Sequence, residues 1–318
     1  MAPHDPAHER RRWSAAEPPG DAERRRSADP TTVEGRPRIS IDEALRQNWL
    51  EIWYQPKIDL RRKCLAGAEA LARIHHPQHG LMWPDSFLPG VEGDSIARLT
   101  EHALIATLHS WSIFDEAGIN LHMAINVPVG VLTRLPVAEL VRAHRPSSER
   151  WPGLILEVTE DQIVRDIALA NEIAGELREC GVTISIDDFG AGYSSFSSLR
   201  GLPFAELKLD SSFVKNCATD ATNAAICQTA IDLAHRFGSA AVAEGIESAA
   251  DMQSLIVMGC DFGQGVLIAP PMPQQRFLDL LRQRVGKPRP PAAEPAAAEE
   301  AEAAAAEEPA AGSIGRVA

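Results

Sequence analysis

The sequence predicts an α/β fold, a modified TIM-type (β/α)8 barrel with one antiparallel strand near the N-terminus. Three observations carry that prediction. Eight short apolar runs alternate with helical patterns through the middle of a 318-residue chain, the rhythm of βα units around a parallel sheet. Most of the runs are almost continuously apolar, as in parallel strands covered on both faces. Only six residues separate the first run from the second, between Lys57 and Cys64. That is too short for a crossover helix, so these two strands must be antiparallel.

Along the chain, residues 1–38 come first, with 8 Arg, two triplets among them (Arg10–Arg12 and Arg24–Arg26), and 7 acids. Their apolar content is too low to bury, so a disordered leader is expected, and the interspersed acids cancel the field of the triplets. Strands are predicted at 51–57, 64–73, 121–127, 154–160, 182–188, 206–210, 240–246 and 261–268. Helices are predicted at 94–116, 131–144, 161–180, 220–237, 248–258 and 273–284. These elements define a folded region at 39–286. Residues 287–318 are rich in Pro, Ala and Glu, and the Ala/Glu run from Glu299 to Glu308 has no apolar stripe to dock. They are expected to be a second disordered tail.

Composition narrows the function. The net charge is −13, and residues 39–286 hold 20 basic and 31 acidic side chains, a net of −11. An acidic folded region argues against binding a nucleic-acid backbone and suits a protein that gathers carboxylates around cations. No apolar run approaches the roughly 18 residues of a membrane span, and the N-terminus lacks the apolar stretch of a secretory signal. The five cysteines are scattered without a C-x-x-C, which reads as free thiols in a reducing cytoplasm. The expectation is a cytoplasmic protein that contacts neither DNA nor membrane.

Polar residues interrupt the apolar strands near their C-terminal ends: Glu69, Asn126, Glu157 and Glu160, Asp187 and Asp188, Lys208 and Asp210, Glu244 and Glu247, and Gln264. In a barrel these ends meet on the face where active sites sit. Any one of these acids is ordinarily a helix cap or a surface group, Asp187-Asp188 could simply open a turn, and Lys208 alone could snorkel from an edge. Recurrence on most of the strands is what argues for a site. Gathered carboxylates repel unless a cation neutralises them, and an oxygen-only set without His or Cys favours Mg²⁺ or Mn²⁺ over Zn²⁺. Several carboxylates with one lysine suggest two-metal phosphoryl transfer. At this level any metal-dependent barrel hydrolase fits.

Other motifs are weaker. Gly190-Ala191-Gly192 lacks the third glycine of a dinucleotide loop. His75, His76 and His79 surround Pro77 without helical spacing, so a surface loop is the better reading. Cys217 and Cys227 have no charged context for a nucleophile.

The order of the motifs is more specific than any one of them. Tyr54-Gln55-Pro56 is followed by Glu69-Ala70-Leu71 with Arg73, then His76-Pro77, Gly80, Pro84, Phe87 and Pro89. Next come Asn126-Val127, Glu157-Val158-Thr159-Glu160 and the run Asp187-Asp188-Phe189-Gly190-Ala191-Gly192-Tyr193-Ser194-Ser195. Leu207-Lys208-Leu209-Asp210, Ala243-Glu244-Gly245-Ile246-Glu247, Gly259-Cys260-Asp261 and Gln264-Gly265 complete the set. This ordered set, from Tyr54 to Pro273, resembles the EAL-domain family of cyclic di-GMP phosphodiesterases.

The resemblance implies hydrolysis of cyclic di-GMP to linear 5′-pGpG with two Mg²⁺ or Mn²⁺ ions. It implies Glu69, Asn126, Glu157 and Asp187 as ligands of one metal. Asp187 would bridge to a second metal that Asp188 and Glu244 help position. Lys208 matches the lysine that holds or deprotonates the attacking water, with Glu69 and Glu244 beside it as catalytic groups. Gln55, Arg73, Asp210, Glu247 and Gln264 match substrate-contacting or supporting positions, and Glu160 the glutamate that links the site to a dimer interface. A stand-alone enzyme is expected, as a homodimer, with a regulatory partner recruited through the tails as a further option. The alternatives are a silent cyclic di-GMP receptor and an interaction module on the same scaffold. The chain departs from the family pattern at Ile74, Pro128, Val266 and Ile268, where Trp, Ser, Tyr and an aromatic are usual; the changes at Ile74, Val266 and Ile268 are expected to remove aromatic surface near the guanine pocket.

Overall fold

The computed structural model describes residues 39–285 except 92, 161, 163–166 and 191–201, together with the pairs 32–33 and 36–37. Most of both predicted tails, and the motif stretch 191–195, lie outside these residues. Thr32–Val33 and Arg36–Pro37 form a short antiparallel ribbon within the predicted leader.

Eight strands close a barrel. They are β1 (Leu50–Asp59), β2 (Cys64–His76), β4 (His122–Asn126), β5 (Leu154–Thr159), β6 (Val182–Phe189), β7 (Phe204–Leu209), β8 (Ala240–Ala243) and β9 (Phe262–Gly263). The stretch from β2 to β9 is parallel, and β1 closes the ring by pairing antiparallel with both β2 and β9. A short strand β3 (Gly80–Met82) extends β2 as a wall outside the ring, and β10 (Met272–Pro273) pairs with β1. The predicted antiparallel hairpin is therefore present, and its chemistry is local. Asp59 Oδ1 accepts from Arg61 N (2.9 Å) and Arg62 N (2.7 Å), and Lys63 takes a left-handed φ of 53°. This is an Asx-type turn that reverses the chain.

The parallel strands are buried on both faces, as their composition demanded: five of six residues are buried in β5 and in β7. Helices cover the outside. The longest, α3 (Asp94–Glu116), buries Leu104, Leu108, Trp111 and Phe114 at helical spacing, and Trp111 Nε1 donates to Leu121 O at 3.1 Å. The C-terminal helix α10 (Gln274–Val285) packs Phe277 against Tyr54 and Phe114, with ring centroids 5.8 and 5.3 Å apart.

Several predicted boundaries shift for identifiable reasons. The predicted helix 131–144 is two helices, α4 (Val129–Leu132) and α5 (Val137–His144), because Pro136 lacks the N–H that continuation needs. Strand 240–246 ends at Ala243, since Gly245 turns with a φ of 62° and Glu244 N donates to Leu209 O. Strand 261–268 shrinks to Phe262–Gly263. There the backbone at Gly265 lies so close to Ile246 that a Cβ would sit 2.3 Å from its N and O atoms. Three short helices carry too little periodicity to read: α1 (Ile41–Arg46), α2 (Pro84–Phe87) and α7 (Ser211–Val214). The remaining helices are α6 (Ile167–Glu179), α8 (Ala221–Arg236) and α9 (Ala249–Met258). No helix among the described residues is long and apolar enough to cross a membrane.

A buried ion pair lies inside the barrel below the rim. Lys57 Nζ lies 2.5 and 2.6 Å from the two carboxylate oxygens of Glu206, with both side chains buried. Register places this pair one layer below Glu69 and Lys208, because Lys57 faces Gly67 on β2 and Glu206 precedes Lys208 by two residues on β7. Removing one partner of a buried pair strands the other charge. Lys57→Met is expected to destabilise the fold by about 3–5 kcal/mol in denaturant unfolding, and Lys57→Met with Glu206→Leu to recover most of that loss. A single variant as stable as wild type would contradict the pairing.

Candidate active site

The C-terminal rim of the barrel gathers most of the predicted polar residues. Alternation along each strand turns Glu69, Asn126, Glu157, Asp187 and Lys208 inward while their neighbours face the helices. Lys208, on β7, is 1 % exposed and stands at the centre. Its Nζ lies 2.7 Å from Glu244, 2.8 Å from Glu157, 3.1 Å from Asp187 and 4.0 Å from Glu69. Glu69 accepts from Asn126 Nδ2 at 2.6 Å and makes a close hydrogen bond with Gln264 Nε2. Gln264 in turn donates to Gln55 Oε1 at 3.1 Å, and Gln55 to Ala269 O at 3.2 Å. Contrary to the expectation that the acids sit at strand ends, Glu69 lies in mid-strand, because β2 runs on to His76 to pair with β3.

The other predicted residues ring this centre. Asp188 follows Asp187 with a left-handed φ of 54° and donates its N–H to Asp187 Oδ1 at 3.0 Å. That twist brings oxygens of Asp187, Asp188 and Glu244 all within 4.8 Å of one another. Glu160, buried, accepts from Gly190 N at 3.1 Å and so braces the turn that follows. Asp210 caps α7, accepting from Ser212 N at 2.9 Å. Gln55, Glu69, Asp187, Glu244, Glu247 and Gln264 line one cleft.

Arg73 stands apart, four residues beyond Glu69 along β2. It is 2 % exposed, its Nε has no hydrogen-bond partner among the described residues, and its guanidinium lies 4.2 Å from the Trp83 ring. Burial lowers its pKa to about 10 even though Glu69 and Asp85 pull the other way. The departures from the family pattern look different in three dimensions. Ile74 is wholly buried in a core cluster, away from the cleft, and Ile268 packs against another. Of the three departures expected to strip aromatic surface from the pocket, only Val266 lines the cleft.

Charge is the unusual property of the site. Burial opposes the ammonium of Lys208, yet Glu157, Glu244, Glu69 and Asp187 outweigh it and hold its pKa well above the ordinary value. Burial and then the Glu69 charge push Glu157 well up, and burial pushes Glu244 up to about 8 against the pull of Lys208. Glu69 goes the other way: burial opposes its ionisation, but Lys208 and the amides of Gln264 and Asn126 hold it low. For Asp188, burial and then Asp187 raise the pKa. Five carboxylates thus share one lysine. Glu157 Oε2 lies 2.8 Å from Lys208 Nζ and has no hydrogen-bond partner among the described residues. An excess of hard oxygens, one of them without a hydrogen bond, is the donor set that fits divalent cations.

Because Glu157 and Glu244 ionise less readily folded than unfolded, their contribution to stability is full below the unfolded value near 4.5 and is lost as pH rises through the folded value, about 8 for Glu244. With a chelator present, the thermal midpoint is expected to fall between pH 5 and pH 8.5. A midpoint that rises across that range would contradict the arrangement.

The EAL domain family model matches residues 39–271. The chain is 34% identical over 274 residues to cyclic di-GMP phosphodiesterase PA2567 of Pseudomonas aeruginosa, covering 85% of this chain and 46% of that protein. It is 35% identical over 235 residues to cyclic di-GMP phosphodiesterase RocR of the same organism, covering 72% and 59%. The chain therefore spans about half the length of these relatives. Among solved structures, PaMucR phosphodiesterase in its c-di-GMP complex superposes with a TM-score of 0.67 at 34% identity, covering 75% of this chain and 98% of that one. With the barrel, the acid cluster and the matched residues in agreement, this chain belongs to the EAL domain family.

Proposed function

We propose that this chain is a metal-dependent phosphodiesterase that hydrolyses cyclic di-GMP to linear 5′-pGpG. The observation that carries the reading is the convergence of Glu69, Asn126, Glu157, Asp187, Asp188, Glu244 and Lys208 on one rim of the barrel, in a chain whose relatives are named for this reaction. A receptor that only binds, or an interaction module, needs no such collection of buried charge, and none of the metal-ligand or lysine positions matched to the family is lost.

The residues divide the work. Glu69, Asn126, Glu157 and Asp187 would hold one Mg²⁺ or Mn²⁺, and Asp187, Asp188 and Glu244 a second. When bound, such ions polarise a phosphodiester and lower the pKa of water. Lys208 is the cation aimed at the reacting phosphate. Held charged by Glu157, Glu244, Glu69 and Asp187, it is a donor that can hold the water and stabilise developing charge. Gln264 and Gln55 lock Glu69 in place through a chain of amides. Arg73, buried without a carboxylate within 4.0 Å among the described residues, is preset to donate to an anionic oxygen of the substrate. In the reaction a water oxygen bonds to phosphorus, the bond to the 3′ oxygen breaks, and that oxygen leaves as the 3′ hydroxyl. Glu160 holds the turn at Gly190 and so supports Asp187 and Asp188, and the enzyme acts as a homodimer in the cytoplasm.

The test is turnover of cyclic di-GMP by purified protein with Mg²⁺ or Mn²⁺, followed by chromatography. Linear 5′-pGpG is expected, abolished by chelator and reduced at least about a hundredfold by Glu69→Ala or Asp187→Asn. Wild-type turnover in either variant would sink the mechanism. Protons compete with cations for Glu157 and Glu244, so Mg²⁺ is expected to raise the thermal midpoint more at pH 8.5 than at pH 6; equal shifts at both would place the ion elsewhere.

A further inference from the structure

The wall built from β1, β2 and β3 carries an aromatic arrangement that none of the predicted site residues explains. Glu69, Leu71 and Arg73 alternate onto one face of β2, and Leu71 lines the cleft. Across the antiparallel register, Gln55 faces Glu69 and Trp53 faces Leu71. Met82 pairs with Ile74, so the next residue, Trp83, stands level with Arg73 on that same face. Arg73 lies about 13 Å along the strand from Glu69 at roughly 3.3 Å per residue.

Trp83 is held on two sides and open on the rest. The Arg73 guanidinium stacks 4.2 Å from its ring, and Trp53 meets it edge-on with centroids 6.1 Å apart. Yet Trp83 remains 43 % exposed, although a large apolar ring gains by being covered. The cation beside it is short of partners: Arg73 is 2 % exposed, Nη1 donates to Ala72 O at 2.7 Å and Nε donates to nothing. A half-open aromatic ring next to a buried guanidinium that has no carboxylate within 4.0 Å among the described residues suits a ligand with a planar base and a phosphate side by side.

We propose that Trp83 is a stacking shelf for one purine base of the substrate, set by Trp53 and Arg73, and that it contributes to the preference for purine over pyrimidine. This rests on the reading of the cleft as a cyclic di-GMP site. It also supplies, just past β3, aromatic surface that Val266 does not.

The test compares wild type, Trp83→Ala and Trp83→Phe by KM for cyclic di-GMP, by equilibrium dialysis of the same nucleotide, and by inhibition with cyclic di-UMP. Trp83→Ala is expected to raise KM and Kd for cyclic di-GMP about tenfold, with a smaller fall in kcat and an unchanged thermal midpoint. Trp83→Phe should recover most of the affinity. The loss for cyclic di-UMP should be smaller, because a pyrimidine stacks less surface. Equal losses for the two nucleotides would show that Trp83 only holds Arg73, and wild-type affinity in Trp83→Ala would show no role; either overturns the shelf. Wild-type turnover tests the phosphodiesterase reading separately: a protein that binds cyclic di-GMP without cutting it fails that reading and still permits the Kd comparison, whereas one that neither binds nor cuts it removes both.

Discussion

Everything at the rim of this barrel depends on one electrostatic constraint: Glu69, Glu157, Asp187, Asp188 and Glu244 crowd around a single lysine. Carboxylates at such separations in a low-dielectric interior cannot all ionise without compensation. The chain answers in three ways at once. Lys208 is forced to stay charged, Glu157 and Glu244 are pushed toward holding protons, and Glu69 is kept ionised by Lys208 and then by two amides. The unequal responses matter more than the sum, because they leave a donor set that changes charge when cations arrive.

The scaffold exists to make that crowding tolerable. A closed parallel barrel brings residues from many strands to one rim without loops long enough to let them relax apart. The antiparallel β1 adds something a regular barrel would lack: its register sets Gln55 opposite Glu69 and so anchors the amide chain through Gln264. Beneath this layer the Lys57–Glu206 pair balances its own charge. The barrel interior is thus stacked in charged layers, with neutrality below and an excess of carboxylate above. The unbalanced charge is confined to the C-terminal rim.

The extended wall of β2 and β3 continues the face that carries Glu69 past the barrel mouth. Because β2 is 13 residues long, it carries Glu69 into the barrel and Arg73 beyond the mouth on the same face. Arg73 and the Trp83 ring, which stands level with it just past β3, meet on that face through the pairing of two strands. Alternation along β2 buries Ile74 in the core, which is why its departure from the family pattern costs the cleft nothing.

Much of this was legible in the residues. The near-continuous apolar strands, the helical periodicity of 94–116 and the short connection at 57–64 specified a barrel with one reversed strand, since those signals depend only on local geometry and burial. The acids, the lysine and the asparagine could be placed at one rim by the same logic, and their order along the chain identified the family. Tertiary structure alone decided which of these groups touch. That Lys208 lies within 3.1 Å of three acids and stands off from a fourth, that Glu206 is a buried partner of Lys57 and not another ligand, and that Trp83 stacks on Arg73 all depend on register between strands distant in sequence. The physical reason is plain: side-chain periodicity is written residue by residue, whereas Coulomb and stacking energies depend on distances that exist only once the barrel has closed.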